Sequence, residues 1–182
     1  LLGPLLNPAD ADCQLIGVYS EELCIPMAEA SKILGKKRVM VVHGLDLLDE
    51  ISVSSPTKVV EIDEKGSVKD YILDPADFGI GPFSKKELTG GSPKENVLLA
   101  LDLLDIGGRG AGEVSAGASA AGGRPAIREA VALNAGAALY IYGLAENIRD
   151  GYLMAKEALK TGRVLEKLTQ IREEGKLIEV AS

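Results

Sequence analysis

The fold is decided by residues 41–52, which read Val-Val-His-Gly-Leu-Asp-Leu-Leu-Asp-Glu-Ile-Ser. Residues 38–42 are a mostly β-branched run and predict a short, buried parallel strand. The pattern then breaks into a turn at the His-Gly pair and ends in two adjacent carboxylates, Asp49 and Glu50. Because chemistry in α/β proteins gathers beyond the carboxyl ends of strands, this segment predicts both a strand and a functional site.

Asp49 and Glu50 are the first candidate metal ligands. Neighbouring residues of a strand point to opposite faces, so the two side chains can share one ion only from a loop or the start of a helix, which is where the pattern places them. Two carboxylates in such a loop are able to hold Mg²⁺, which proteins usually bind with one or two carboxylates, waters and substrate phosphates. The competing interpretation is an acidic first helical turn on a solvated face. The residues alone leave both interpretations, a metal site and a solvated helix start, open.

The composition restricts the class of protein. The 182 residues are 46% hydrophobic and 26% charged, which suits a single globular domain with a sizeable core. A net charge of −7 and 4% aromatic residues argue against a nucleic-acid-binding surface. Cys13 and Cys24 match neither a disulfide framework nor a zinc site, and favour a reducing compartment. No apolar run reaches the roughly 18 residues of a membrane span, so we expect a soluble, cytoplasmic protein without membrane partners.

The segments around this stretch predict an α/β fold with a mainly parallel central sheet flanked by helices. Residues 14–19 are typical of a buried strand, and a helix should follow from Ser20 to about Leu34. Gly35 is placed to end that helix. Together with the strand at residues 38–42, these segments predict a right-handed βαβ unit.

One antiparallel hairpin is predicted after the candidate site. Residues 57–62 and 67–73 read as its two strands, joined by a turn at residues 63–66. Further helices are predicted at about 94–105, 125–142, 145–160 and 164–174, with a short terminal strand at 176–180.

Two segments stand apart in composition. Residues 107–123 consist mostly of Gly, Ala and Ser, and predict a flexible linker or surface loop within one α/β domain of residues 1–182. They match neither the P-loop nor the dinucleotide-binding fingerprint, so a phosphate cradle is the weaker interpretation. Residues 1–8 are apolar and predict a rigid loop packed on the core. Since natural termini are usually polar, we expect this start to be a cut within a larger protein.

The order and spacing of several blocks resemble those of the anthranilate phosphoribosyltransferase family. These blocks are residues 2–8 (Leu-Gly-Pro-Leu-Leu-Asn-Pro), 14–19, 41–52, 56–57, 77–79, 90–91, 95–96 and 134–140. They are spread over most of the chain. Two features depart from the family: Leu47 stands where a glycine is usual, and residues 107–123 are longer than the usual connection.

The resemblance implies a reaction, a cofactor and a site. Family members transfer phosphoribose from phosphoribosyl pyrophosphate to the amino group of anthranilate, in tryptophan biosynthesis. Asp49 and Glu50 match the pair that binds Mg²⁺, and Gly3 and Pro4 match the loop that lines the anthranilate side. No catalytic side chain is implied. His43, the only histidine, reads more readily as a turn residue satisfied by backbone groups than as a base, because the acceptor amine is already nucleophilic.

The resemblance also implies a longer protein. The family's Gly-Thr-Gly-Gly-Asp pyrophosphate loop and its anthranilate-binding arginine both precede the Gly-Pro block, and its small N-terminal helical domain is largely absent. We therefore expect this chain to be the C-terminal part of the enzyme and to be inactive alone. Its expected partner is the N-terminal part of the same protein, and the full-length enzyme is expected to be a homodimer. The alternatives are a pyrimidine nucleoside phosphorylase-like enzyme, distinguishable because phosphorylases use free phosphate without the carboxylate pair, and a non-catalytic fragment or scaffold.

Overall fold

The computed structural model describes residues 2–104 and 124–181. Within them, helices flank a four-stranded sheet on both faces. The strands are β1 (Cys13–Gly17), β2 (Arg38–Gly44), β3 (Thr57–Ile62) and β4 (Val68–Leu73). The α-helices are α1 (Leu2–Leu5), α2 (Cys24–Ile33), α3 (Pro93–Leu104), α4 (Pro125–Tyr142), α5 (Ile148–Lys160) and α6 (Arg163–Ala181). Short 3₁₀ helices lie at Glu21–Leu23, Pro75–Phe78 and Lys85–Leu88.

The α/β class and the hairpin are confirmed, but the strand directions correct the expected mainly parallel sheet. The order is β1-β2-β3-β4; β1 and β2 are parallel, whereas β2 with β3 and β3 with β4 are antiparallel. Parallel neighbours need a crossover of about a dozen or more residues, usually a helix. The segment 45–56 contains no helix, so β3 returns antiparallel to β2.

The predicted βαβ unit forms at β1, α2 and β2. Its helix begins with the 3₁₀ turn, where the Ser20 hydroxyl donates to the Glu22 carboxylate instead of capping the backbone. The chain turns at Gly35, whose φ of 83° lies in the left-handed region that glycine tolerates. The helix α2 then packs on one sheet face through a cluster that includes Met27, Ala28 and Val41.

The opposite face carries the larger core, formed with α4 and α5. On this face Met40 and Val42 cluster with Leu133 and Ala137 of α4. The closest approach of α4 to another element is at its small residue Gly136, where it meets α5. A Cβ added at Gly136 would lie 2.3 Å from the Tyr152 nitrogen, so the glycine allows the two helices to cross.

The C-terminal segment differs from its prediction. The strand expected at residues 176–180 is wrong, since α6 continues to Ala181. Helix-forming residues precede it, and the single Gly175 costs a helix only about 1 kcal/mol. The predicted linker at residues 107–123 lies outside the described residues. No helix in the described part of the chain is long and apolar enough to cross a membrane.

Candidate functional site

Asp49 and Glu50 lie in an irregular loop that follows the carboxyl end of β2. We call residues 45–52 the carboxylate loop. Both side chains are exposed, and within residues 2–104 and 124–181 no ion pair engages them. No group of three His, Cys, Asp or Glu side chains in the described part is arranged to hold a metal. The pair nevertheless suits Mg²⁺, because adjacent carboxylate oxygens are hard donors and the ion keeps several waters.

The start of the carboxylate loop is a tight turn closed on β2. The Gly44 N–H donates to the Leu48 carbonyl at 2.8 Å, and the Leu47 N–H donates to the Gly44 carbonyl at 2.8 Å. The Leu45 N–H donates to the Pro56 carbonyl at 2.9 Å. Leu47 itself has a φ of 69°, a left-handed conformation that glycine adopts more readily than leucine.

Hydroxyl groups tie the start of the loop to its end. The Ser52 hydroxyl donates to Oδ2 of Asp46 at 2.9 Å, and the Ser54 hydroxyl donates to the same oxygen. The Ser52 N–H donates to the Thr57 hydroxyl at 2.9 Å, which fixes the loop to β3. Lys85 donates from Nζ to the Asp46 carbonyl at 2.6 Å. The loop is therefore held at both ends by side chains that the sequence analysis had assigned no role.

The carboxylate pair lies between two contacts from other elements. A Cβ added at Gly17, the last residue of β1, would lie 1.5 Å from the Asp49 carbonyl oxygen, so only a glycine allows this approach. On the other side, the Ile51 N–H donates to Oδ1 of Asn134 at 3.0 Å, and Nδ2 of Asn134 donates to the Ile51 carbonyl at 2.9 Å. Both contacts act on the backbone of the loop and leave its carboxylates exposed.

Gly3 and Pro4 lie apart from the carboxylate pair. They are exposed residues of the one-turn helix α1, which forms where a rigid loop was predicted. The Pro4 carbonyl accepts a hydrogen bond of 3.0 Å from Nε2 of Gln14, near the start of β1. Asp49 lies against Gly17 at the other end of that strand, and three strand residues span roughly 10 Å. The structure therefore anchors both predicted parts of the site to β1 without bringing them into contact.

His43 is a buried residue of β2. It is 4% exposed, and its Nδ1 lies 2.8 Å from the Val18 carbonyl oxygen. The prediction of a histidine satisfied by a backbone group is confirmed, although the residue lies in the strand and not in the following turn.

A depression adjoins the end of the carboxylate loop. It has a volume of about 480 Å³ and lies between residues 53–56 and residues 74–83. Its lining combines apolar side chains such as Ile80 and Phe83 with the hydroxyls of Ser54 and Ser55. This depression beside the loop was not predicted from the sequence.

A second buried carboxylate lies on β3, outside the loop. Glu61 is 3% exposed and accepts hydrogen bonds from the Tyr140 hydroxyl at 2.7 Å and from the Tyr71 hydroxyl at 3.2 Å. Burial, and then the neighbouring Glu61 carboxylate, raise the pKa of both tyrosines above the ordinary value. Nζ of Lys69 lies 3.8 Å from Glu61. This cluster joins β3, β4 and α4, and its carboxylate is buried, whereas those of Asp49 and Glu50 are exposed.

A model of the glycosyl transferase family, a/b domain, matches residues 1–165. The chain belongs to this family. It is 45% identical over 168 residues to an anthranilate phosphoribosyltransferase from Shewanella amazonensis, an alignment covering 92% of this chain and 44% of that protein. A crystal structure of anthranilate phosphoribosyltransferase from Thermus thermophilus superposes with a TM-score of 0.75 and 37% identity, covering 93% of this chain and 45% of that one.

The same enzyme from Saccharomyces cerevisiae, in a complex with PRPP and Mg, superposes with a TM-score of 0.75 and 26% identity. That superposition covers 92% of this chain and 44% of the yeast chain. The comparisons confirm the resemblance that the sequence blocks indicated. They also show that this glycosyl transferase family member spans less than half the length of the relatives it matches.

Asn134 is the supporting residue that sequence reasoning passed over. It belongs to the block at residues 134–140, which contributed to the family resemblance, but no separate role was predicted for it. The available signal was a single amide side chain in an otherwise apolar helical stretch, which predicts a specific hydrogen-bond partner because buried polar groups are rarely left unpaired. Which partner it meets depends on the tertiary fold, since Ile51 is 83 residues away.

Proposed function

We propose that this chain is the C-terminal, magnesium-binding part of an anthranilate phosphoribosyltransferase that acts in tryptophan biosynthesis. The observation that carries the proposal is the exposed carboxylate pair, Asp49 and Glu50, on a loop whose backbone is fixed by β1 and α4. The family match and the relative described with PRPP and Mg support this choice.

The charge balance of the chain agrees with a metal-dependent site. Its net charge is −7, and a polyphosphate donor is itself strongly negative, so direct contact with the carboxylates is repulsive. Asp49 and Glu50 would hold Mg²⁺, partly through water, and the ion would supply positive charge that stabilises a pyrophosphate leaving group. The residues of the chain contribute by fixing the carboxylate backbone before substrate arrives, so that no reorganisation is needed during the reaction.

The acceptor side is proposed at Gly3 and Pro4. An apolar, conformationally restricted edge suits a flat aromatic acid. His43 is not proposed as a base, because it is buried and its Nδ1 already lies at hydrogen-bond distance from Val18. The N-terminal part of the same protein as a partner, a homodimer at full length and a cytoplasmic location stay predictions.

Isothermal titration tests the proposal. Phosphoribosyl pyrophosphate is titrated into the chain with and without Mg²⁺, and into the Asp49→Asn/Glu50→Gln variant. Binding heat that requires both Mg²⁺ and the carboxylates is the expected result. Heat from inorganic phosphate alone, unaffected by Mg²⁺ or by the double substitution, would instead favour a phosphorylase-like enzyme. Asp10→Asn/Asp12→Asn, which changes two exposed carboxylates paired with Lys36 and Lys37, is the charge-matched control.

A further inference from the structure

Asn134 makes a two-point contact with one residue of the carboxylate loop. Its Oδ1 accepts from the Ile51 N–H at 3.0 Å, and its Nδ2 donates to the Ile51 carbonyl at 2.9 Å. Nδ2 also donates to the Ala130 carbonyl, one turn earlier in α4, at 3.0 Å. Both amide protons and the amide oxygen are therefore engaged, and the side chain has one orientation that satisfies all three partners.

The contact connects the core helix α4 with the residue next to the carboxylate pair. The neighbours of Asn134 in α4 include Leu133 and Ala137, which are fully buried in the larger core. Ile51 is itself buried and directly follows Glu50. The peptide group that links Glu50 to Ile51 is thus hydrogen-bonded to a helix of the larger core.

The carboxylate pair itself lies outside the regular secondary structure. Asp49 and Glu50 form bends, and on the side of Asp49 the backbone is restrained by the hydrogen bond from Gly44 to the Leu48 carbonyl and by the close approach of Gly17. Without the Asn134 contact, that side of the loop would be held by the buried Ile51 side chain and the hydrogen bonds of Ser52, and the Ile51 backbone would lose both hydrogen bonds to α4. The freed peptide would then let the two carboxylates move relative to one another.

We propose that Asn134 is a positioning residue for the magnesium site, acting through the Ile51 backbone to set the spacing of Asp49 and Glu50. The proposal rests on the proposed function of that pair. Residues that orient metal ligands typically change metal affinity 10–100-fold when replaced. Loss of the Asn134 side chain is therefore expected to raise the dissociation constant of the metal by about tenfold, with the fold retained.

The test measures metal affinity directly and needs no turnover. Mn²⁺ replaces Mg²⁺ as the probe, and free Mn²⁺ is followed by electron paramagnetic resonance at one fixed concentration of phosphoribosyl pyrophosphate, with a titration without protein subtracted because the diphosphate itself binds Mn²⁺. The chain is compared with Asn134→Ala and with Asn134→Ser, whose hydroxyl can still reach the Ala130 carbonyl but is too short for Ile51. If the alanine variant does not fold, the serine variant is used in its place for the comparison of Mn²⁺ affinity. Unfolding by urea records the stability of each.

Asn147→Ala is the matched control. Asn147 caps α5, with its Oδ1 accepting from the Asp150 N–H at 2.9 Å, so its removal lowers stability without touching the loop. A general loss of stability would weaken metal binding in both asparagine variants, whereas a positioning role weakens it only in the Asn134 variants. The Asn134→Ala change is also made in the Asp49→Asn/Glu50→Gln background, where its effect on Mn²⁺ should disappear.

Each outcome has one meaning. Weakened Mn²⁺ binding in the Asn134 variants alone, absent from the carboxylate-deficient background, supports the proposal. Unchanged affinity in the Asn134 variants, or an equal loss in Asn147→Ala, overturns it while the carboxylate site stands. Mn²⁺ binding that is absent from the wild type, or equal in Asp49→Asn/Glu50→Gln, overturns the proposed function of the pair and this inference with it.

Discussion

Leu47 occupies a backbone conformation that favours glycine. Its φ is 69°, a left-handed conformation that costs an L-residue about 1–2 kcal/mol. Its side chain is 74% exposed, so packing offsets little of that cost. A glycine at this position would lose more conformational entropy on folding than leucine does, which costs about 0.4–1 kcal/mol of free energy. We expect Leu47→Gly to raise the free energy of unfolding by about 0.5–1 kcal/mol, measured by urea denaturation.

The neighbouring Leu45 provides the control for this prediction. It is also exposed in the same turn but is not among the residues with positive φ. Leu45→Gly should lower the stability by roughly 0.5–1 kcal/mol, because only the entropic cost applies. Equal changes in both variants would show that backbone strain at Leu47 does not decide the effect.

Gly17 is the residue where the loop and β1 approach most closely. A Cβ there would meet the Asp49 carbonyl oxygen at 1.5 Å, and Gly17 cannot retreat without breaking its pairing with Val42. Gly17→Ala should therefore cost about 2 kcal/mol or more in stability, and should weaken metal binding because Asp49 moves. Both quantities are measured on the same protein, by urea unfolding and by Mn²⁺ titration.

Gly175→Ala separates steric overlap from the general effect of replacing glycine. Nothing lies within 4 Å of the Cβ that this change adds in α6, and alanine is a better helix former by about 1 kcal/mol. This variant should be as stable as the wild type or more so, with unchanged Mn²⁺ affinity. A Gly17→Ala protein that behaves in the same way would contradict the close approach.

The residues of the site differ in how far sequence could reveal them. Asp49 and Glu50 carry a local signal, since two oxygen donors follow a strand. Gly17 was visible only as part of a strand, because its need for a missing Cβ arises from a loop 32 positions later. Asn134 likewise acquires its role from Ile51, which no local pattern connects to it. Long-range backbone contacts of this kind leave no periodic trace in a single sequence.

At the scale of elements, the Glu61 cluster couples the hairpin to α4 and makes stability depend on pH. The raised pKa values of Tyr71 and Tyr140 mean that the folded protein holds their protons more tightly than the unfolded chain, in which tyrosine titrates near 10. This contribution is fully present below about pH 10 and is lost as the pH rises through the folded-state values. The free energy of unfolding should therefore fall above about pH 10.

Tyr71→Phe tests this linkage. The variant should lose stability less steeply between about pH 10 and pH 11.5, because one of the two retained protons is gone. At pH 7 it should be about 1–2 kcal/mol less stable, since Glu61 loses a hydrogen-bond donor. Tyr142→Phe, at a ring that is 71% exposed, is the control and should leave the slope unchanged. An identical slope in all three proteins would refute the linkage.

Elements were predicted well where a local signal was complete. The bounds of β3 and α4 agree with the sequence pattern, because a turn or a proline marks where each begins and apolar residues fill it. The direction of β3 relative to β2 was missed, since it depends on whether the connection contains a helix. The last segment was read as a strand from five residues alone, although the preceding helix continues through them.

At the scale of the whole molecule, the carboxylate loop, which is proposed to bind Mg²⁺, is fixed in place by the surrounding fold. That loop contacts β1 through Gly17, α4 through Asn134 and β3 through Thr57, so three elements of the fold must form before the pair is in place. The site is therefore expected to appear only with the cooperative fold of the domain. A peptide of residues 41–52 would carry the same carboxylates without the contacts that fix them.

The chain by itself is predicted to bind the donor but not to complete the transfer. It spans 44–45% of the length of the relatives described above, and the resemblance implies that the arginine binding the acceptor carboxylate belongs to the length that it does not cover. Stabilising the leaving group without holding the acceptor carboxylate in place gives no productive geometry, because orientation supplies a large share of the rate. Product formation from anthranilate and phosphoribosyl pyrophosphate, followed by chromatography, should stay at the background of the Asp49→Asn/Glu50→Gln variant. The Thermus thermophilus enzyme assayed alongside shows that the conditions support turnover. Turnover by the purified chain that disappears with the double substitution would show that these residues suffice for catalysis.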